Sequence, residues 1–276
     1  EGIYDDWSIP DALMGVLQEE GKTIAMIEVI HSSVLGQYPE KYGHFTDAGF
    51  KEEFADFCVE FVERYEPEYF LLGGEVDIYL SQHRDEVDDF KELADYALNA
   101  VEEARPSTRT GVTVTYHDAV KNNATDIVRE MAEISEVIVY TTHAYEGNFD
   151  YSNPRLGLDQ LEEVPLLVPG KPYAIIETGW SSSEKLNSNE DKQEEFVKGY
   201  FEHLKHTDAE FVVFFALSEH ADCQEPAESF LTDAPWAEED QDFMRFFKEF
   251  LCSLGLKDSD GAPKAGWSAW LEEANA

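Results

Sequence analysis

Six short apolar runs alternate along this chain with longer runs of helical periodicity, and that alternation leaves few folds open. The runs cover residues 23–30 (TIAMIEVI), 69–72 (YFLL), 111–115 (GVTVT), 137–142 (VIVYTT), 173–176 (YAII) and 211–217 (FVVFFAL). Each is rich in Val, Ile, Tyr, Phe or Thr and nearly unbroken by charge. Strands buried on both faces of a parallel sheet have this pattern. Helices are predicted over 11–20, 47–65, 85–104, 124–134, 189–204 and 238–251, with Asp47 and Asn189 as N-caps. No linker, low-complexity tract or short repeat interrupts the series, so one domain over 1–276 is expected.

Repeated βα units imply a parallel α/β fold. The strand starts lie 26 to 46 residues apart, the spacing of a (β/α)8 barrel with loop insertions. A doubly wound sheet is the alternative, but no strand leads into a G-x-G-x-x-G turn. Six strands are two short of a closed barrel. The expectation is a TIM barrel whose first one or two strands are absent from this chain, or a reduced barrel.

Charge narrows the partners. With 59 Asp and Glu against 20 Lys and Arg in 276 residues, the formal net charge is −39 and the pI about 4.3. Such a surface repels phosphate backbones and anionic headgroups, which argues against nucleic-acid and membrane-surface binding. No apolar run approaches the length of a membrane span. The opening EGIYDDW has no basic n-region or apolar h-region, so a signal peptide is expected to have been removed or never present. The acidity fits either salt adaptation or the solubility of a secreted protein. Cys58, Cys223 and Cys252 lack metal-ligand spacing, and their odd number leaves at least one thiol unpaired. Cys58, on an apolar helical face, reads as core.

Position must select among so many acids. Reactive groups of a barrel sit at the C-terminal ends of its strands. Those ends carry His31, Glu75, His117 and Asp118, His143 and Tyr145, Glu177, then Ser218, Glu219, His220 and Asp222. Glu75 and Glu177 are each the first carboxylate after a buried strand, Glu75 through Gly73 and Gly74. Two carboxyl groups at one barrel mouth are what glycoside hydrolysis requires: one protonates the leaving oxygen, the other attacks the anomeric carbon or activates water. Flat aromatic faces for sugar rings are offered in the same loops by Tyr79, Tyr145, Trp180 and Trp236.

These motifs resemble the (β/α)8 glycoside hydrolases of clan A. LLGGEVDIYL is similar to the clan's fourth-strand motif, and the resemblance implies that Glu75 is the acid/base. IIETGWSSS is similar to the seventh-strand motif, with E-T-G-W close to the plant-type β-1,3-glucanases, and implies that Glu177 is the nucleophile. His143 and Tyr145 match a sixth-strand His-x-Tyr whose Tyr orients the nucleophile. His31 falls where some families carry a third-strand His. The stretch EFVERYEPEYFLLGGE resembles the endo-β-1,4-galactanases. On this alignment the first two strands are the absent ones. Three positions depart from the pattern. Gly74 replaces the Asn that binds the sugar 2-hydroxyl, the eighth-strand Trp is missing, and the second-strand Arg has no counterpart.

The implied activity is a retaining β-glycoside hydrolase, with His31, His117, His143, Tyr145 and Trp180 binding substrate. No cofactor or metal is expected. The partner is a poly- or oligosaccharide, the protein is expected to be a monomer, and its site of action extracellular or periplasmic. Two other classes stay open: a non-catalytic carbohydrate-binding barrel, and a metal-dependent hydrolase built on His117, His143 and Asp222. Glu219, His220 and Asp222 also form a loop cluster with metal-binding chemistry, although such clusters are usually solvated. Trp267 and Trp270 read as helix-packing residues.

Overall fold

The computed structural model describes residues 24–27, 44–47, 49–145, 149–219, 223 and 241–276, with residues 7, 8, 10, 11 and 14 of the N-terminal stretch. His31, His220, Asp222 and Trp236 lie outside the described residues, as does nearly all of the helix predicted over 11–20. Six strands are hydrogen-bonded in the order β1 (Ile24–Ile27), β2 (Tyr69–Leu72), β3 (Arg109–Thr115), β4 (Val137–Thr142), β5 (Tyr173–Thr178) and β6 (Val212–Phe214). Every strand neighbours its predecessor in sequence. A doubly wound sheet would start near its middle and reverse direction; sequential order is that of a (β/α)8 barrel.

The chain divides into two compact units, 1–139 and 140–276. In the first, β1 pairs with β2 and β2 with β3, both parallel, with Ile24 opposite Tyr69 and Tyr69 opposite Arg109. All four residues of β2 are buried. Helix α1 (Phe50–Tyr65) turns Phe50, Phe54, Cys58, Phe61, Val62 and Tyr65 inward. It packs on α3 (Val87–Ala104), which answers with Phe90, Leu93, Ala94, Ala97, Leu98 and Val101. Burial at this helical period supplies about 1.5–3 kcal/mol for each large side chain. Cys58 is a fully buried free thiol, as the sequence indicates, and burial pushes its pKa above the ordinary thiol range. The N-cap of α1 is Gly49 rather than Asp47, whose carboxylate instead accepts from the His44 N–H at 2.7 Å. Short helices α2 (Val76–Gln82) and α4 (His117–Lys121) follow β2 and β3, and α5 (Thr125–Glu133) leads to β4.

In the second unit α6 (Pro154–Glu163) precedes β5, and α7 (Glu190–Leu204) connects it to β6. Asn153 caps α6 through the Arg155 N–H, and Asn189 caps α7 through the Lys192 N–H, as predicted for Asn189. Strands β5 and β6 are parallel, with Ile175 opposite Val212, Thr178 opposite Phe214 and an irregular register between. β6 departs from the fully buried strand expected over 211–217: Val213 and Leu217 are exposed. Helices α8 (Gln241–Leu251) and α9 (Ala265–Ala274) close the chain. Trp270 of α9 packs between Tyr200, Phe201 and Phe214, and Trp267 lies under the Lys257 ammonium, so both act in packing. No helix among the described residues is long and apolar enough to cross a membrane.

Candidate active site

Glu75 sits in a turn that only particular residues permit. After Leu72 the chain reverses through Gly73 at φ 76, where a Cβ would lie 2.1 Å from Cγ1 of Val76. Gly73 is therefore required. Glu75 itself is left-handed, at φ 58 and ψ 48, as the N-cap residue of α2. A non-glycine residue held there costs on the order of 1–3 kcal/mol, and such strain concentrates where geometry serves function. Glu66 shares the conformation, but as the residue ending α1, where it is ordinary. The Glu75 side chain is half-buried.

Two threonines of β3 hold this turn. Thr113 Oγ1 donates to the Gly73 carbonyl. Asp77, in the first turn of α2 and 1% exposed, accepts from both the Thr115 N–H (2.7 Å) and the Thr115 hydroxyl (2.6 Å). Burial raises the Asp77 pKa to about 7; the bonds from Thr115 oppose the rise and the nearby Asp118 charge adds to it. The sequence reading missed Asp77, which no local motif sets apart from the chain's other acids. His117 begins α4 just past β3 and is half-buried. Burial lowers its pKa, Asp118 raises it and Lys121 lowers it, for a net fall.

Glu177 belongs to the second unit. It lies inside β5, one residue before its end, rather than after the strand. Its side chain is 37% exposed between buried Ile175 and Thr178. His143, just past β4, brings Nε2 to 3.6 Å from Glu177 Oε2. Phe250 and Phe215 meet the imidazole edge-on, with ring centroids 5.1 Å and 6.4 Å away. Its Nδ1 is buried without a hydrogen-bond partner among the described residues. The structure thus brings together His143 and Glu177 of the predicted set. The Tyr145 ring stacks on Phe149 at 4.4 Å and lies 6.1 Å from Tyr151.

Trp180 corrects the sequence reading. It is fully buried, stacked on Phe196 at 5.2 Å and edge-on to Tyr151 at 4.8 Å. Gly157 makes the room, since a Cβ there would lie 2.8 Å from the Trp180 ring. A side chain with no exposed face cannot stack on a sugar in this structure. Tyr79 is likewise buried, its ring stacked on His83 and its hydroxyl donating to Glu86.

The serines that follow Trp180 hold the loop after Glu177. Ser181 and Ser253 share a hydroxyl hydrogen bond of 2.7 Å, Ser182 N–H donates to the Ser253 carbonyl, and Ser188 donates to the Ser181 carbonyl. Buried Gln193 donates through Nε2 to the carbonyls of Trp180, Leu254 and Gly255. Ser183 and Lys185 both donate to Glu249. Burial pushes the Glu249 pKa up, but these two partners outweigh it and leave a net fall. A disulfide joins Cys252, beside this knot, to Cys223. Glu219 pairs with buried Lys264, which also donates to Ser182 at 2.8 Å. Glu219 is therefore engaged as a structural anion. Among the described residues no group of three or more His, Cys, Asp or Glu has metal-binding geometry.

The sequence matches no protein-family profile and no curated protein. Solved structures do match. Xylanase 10B from Thermotoga maritima has a TM-score of 0.61 at 13% identity, over 100% of this chain and 81% of that one. A GH5_18 protein from Streptomyces cattleya, in complex with GlcNAc, has a TM-score of 0.63 at 15% identity, over 96% of this chain and 64% of that one. A glucosidase from Croceicoccus marinus has a TM-score of 0.62 at 14% identity, over 98% and 53%. These neighbours are clan A glycoside hydrolases, and what this chain shares with them is the fold, a partial (β/α)8 barrel. At these identities the likeness establishes the fold alone, and this chain spans less than two thirds of the second and third proteins.

Proposed function

We propose that this protein is a retaining β-glycoside hydrolase acting on a poly- or oligosaccharide, with Glu75 as acid/base and Glu177 as nucleophile. The observation that carries the reading is the placement of Glu75: a carboxylate at a strand's C-terminal end, held in a left-handed turn at an energetic cost. The position of Glu177 near the end of β5, beside His143, supports the second role. Glu177 attacks the anomeric carbon while Glu75 gives its proton to the leaving oxygen. Glu75 then deprotonates the water that releases the glycosyl-enzyme. His117, His143 and Tyr145 are assigned to substrate contact, and the action needs no cofactor. The Cys223–Cys252 disulfide favours an oxidising location, extracellular or periplasmic.

The test is a panel of β-glucans, β-xylans, β-mannans and β-galactans with wild type, Glu75→Ala and Glu177→Ala. Glu177→Ala is expected to lose all turnover. Glu75→Ala is expected to lose it on polysaccharides while sparing activated aryl glycosides, and the first-formed product should be the β-anomer. Undiminished hydrolysis by Glu177→Ala would end this reading. Gly74, where the clan carries its 2-hydroxyl ligand, and buried Trp180 favour a second reading, a carbohydrate-binding protein without turnover. Saturable binding by calorimetry with no product would select it.

A further inference from the structure

A carboxyl group nearly sealed from solvent, two residues from the proposed acid/base, has no part in the mechanism above. Asp77 is 1% exposed, and both its oxygens are taken by one residue, Thr115, the last of β3. Thr115 is itself buried, and its hydroxyl oxygen also accepts from the Ala119 N–H at 3.2 Å. Two residues earlier in β3, Thr113 donates to the carbonyl of Gly73. The segment from Gly73 to Asp77 is thus bolted to β3 at both ends. Between the bolts lies Glu75, in a backbone conformation that a free chain would leave.

We propose that Asp77 is a positioning residue for Glu75, clamping α2 to the end of β3 so that the left-handed turn carrying Glu75 is fixed. The proposal rests on Glu75 being the acid/base. The geometry assigns each bolt a separate job. Thr113 fixes the entry to the turn, where Gly73 is the only residue that fits. Asp77 fixes the exit, and its two-point grip sets the direction in which α2 leaves. Neither Asp77 nor Thr115 touches substrate in this scheme. A carboxylate is suited to the grip because it can accept from an amide and a hydroxyl at once. It is also a costly choice for a buried site, and burial has raised its pKa. Perturbed buried acids of this kind cluster at functional sites.

The test compares leaving groups, because misplacing a general acid hurts only substrates that need the proton. Phenyl and 2,4-dinitrophenyl β-glucosides, β-xylosides and β-galactosides are the probes. The control is Glu75→Ala, which should lose about 100-fold or more in kcat/KM on the phenyl glycosides and far less on the dinitrophenyl ones. If it shows no such selectivity, the acid/base assignment fails, and the proposal falls with it. If it does, Asp77→Ala and Thr115→Val should lose about 10- to 100-fold on phenyl glycosides and less than about threefold on dinitrophenyl glycosides. Asp77→Asn should stay within about threefold of wild type on both, since its amide can accept from the Thr115 N–H and donate to the hydroxyl. Equal losses on the two leaving groups would mean a merely structural Asp77 and overturn the proposal. So would an Asp77→Asn as poor as Asp77→Ala. Should Asp77→Ala not fold, Thr115→Val carries the test, because it keeps shape and amide while deleting the hydroxyl. If no glycoside is turned over, hydrogen exchange of peptides covering 72–80 decides. Faster exchange in Thr115→Val, with wild-type rates in Asp77→Asn, supports the clamp, and unchanged exchange in Thr115→Val overturns it.

Discussion

The two carboxylates singled out by strand position are held by opposite means. Glu75 depends on a local device: a glycine turn, a strained backbone and a buried acid, all fastened to the neighbouring strand β3. Glu177 sits within strand β5, at the irregular stretch of its pairing with β6, and the main support lies in the loop beyond it. There serines, Gln193 and Lys264 tie segments more than 60 residues apart in sequence, such as Ser181 to Ser253, and a disulfide lies beside the knot. A strained turn needs clamps within a few residues, because its own backbone favours leaving. A strand end needs none of that, but the loop leaving it must be closed by distant chain. The first device is therefore exposed to proton chemistry and the second to thiol chemistry.

The largest expected effect tests the proton side. The folded-state pKa of Asp77, about 7, stands above its ordinary 3.8. Between those values the folded protein holds a proton that the unfolded chain has released. Stability from this group is therefore fully present below about pH 4 and is lost as pH rises toward 7, with no further change above. Each pH unit between the two values is worth about 1.36 kcal/mol, so the loss is at most about 4 kcal/mol. Asp77→Asn should remove that slope and be more stable than wild type at pH 8, but not at pH 4. Urea unfolding at both pH values measures it. Parallel pH profiles for the two proteins would show that burial does not raise the Asp77 pKa.

Reduction tests the other side. The bridged cysteines are 29 residues apart, and closing a loop of that size is worth about 3–4 kcal/mol by chain entropy. Cys252→Ser, or reduction of the bridge, should raise hydrogen exchange across 181–188 and 249–256 and leave 73–77 unchanged. Equal deprotection of both segments would erase the distinction between a locally held and a remotely held acid.

Strand β2 and strand β4 match the sequence reading residue for residue, because continuous apolar runs between turn signals define them. β5 runs to Thr178 rather than Ile176, since its partner β6 continues the ladder past the charged Glu177. α6 escaped notice although Asn153-Pro154 marks its start. Gly157 in its middle resembles a break, and its purpose, room for Trp180, appears only in three dimensions. The same non-local contact explains the misreading of Trp180: an aromatic after a strand looks alike in sequence whether it faces sugar or core. The placement of Glu75 past the end of β2 and of Glu177 near the end of β5 was legible because strand ends are legible. The burial of Asp77 was not, because its partner Thr115 is 38 residues away.

The smallest effect separates the covalent tie of the Glu177 loop from its polar one. Gln193 is fully buried and its amide serves three carbonyls, those of Trp180, Leu254 and Gly255. These acceptors have no access to water, so removing the donor strands them. Gln193→Leu keeps most of the side-chain volume and deletes the donor. Left unpaired, buried carbonyls cost about 1–3 kcal/mol each, but the three share one amide and can relax together, so about 2–3 kcal/mol in total is expected. The loss should appear as a lower urea midpoint with the disulfide still formed, and as faster exchange at 181–188. Glu75 should keep its surroundings, so the 73–77 amides should exchange at wild-type rates. If Gln193→Leu matched wild type in the oxidised protein and weakened it only after reduction, the bridge would be holding the knot and the glutamine merely filling it. Should the variant weaken both forms alike, the polar and covalent ties act independently, and the loop after Glu177 is held twice.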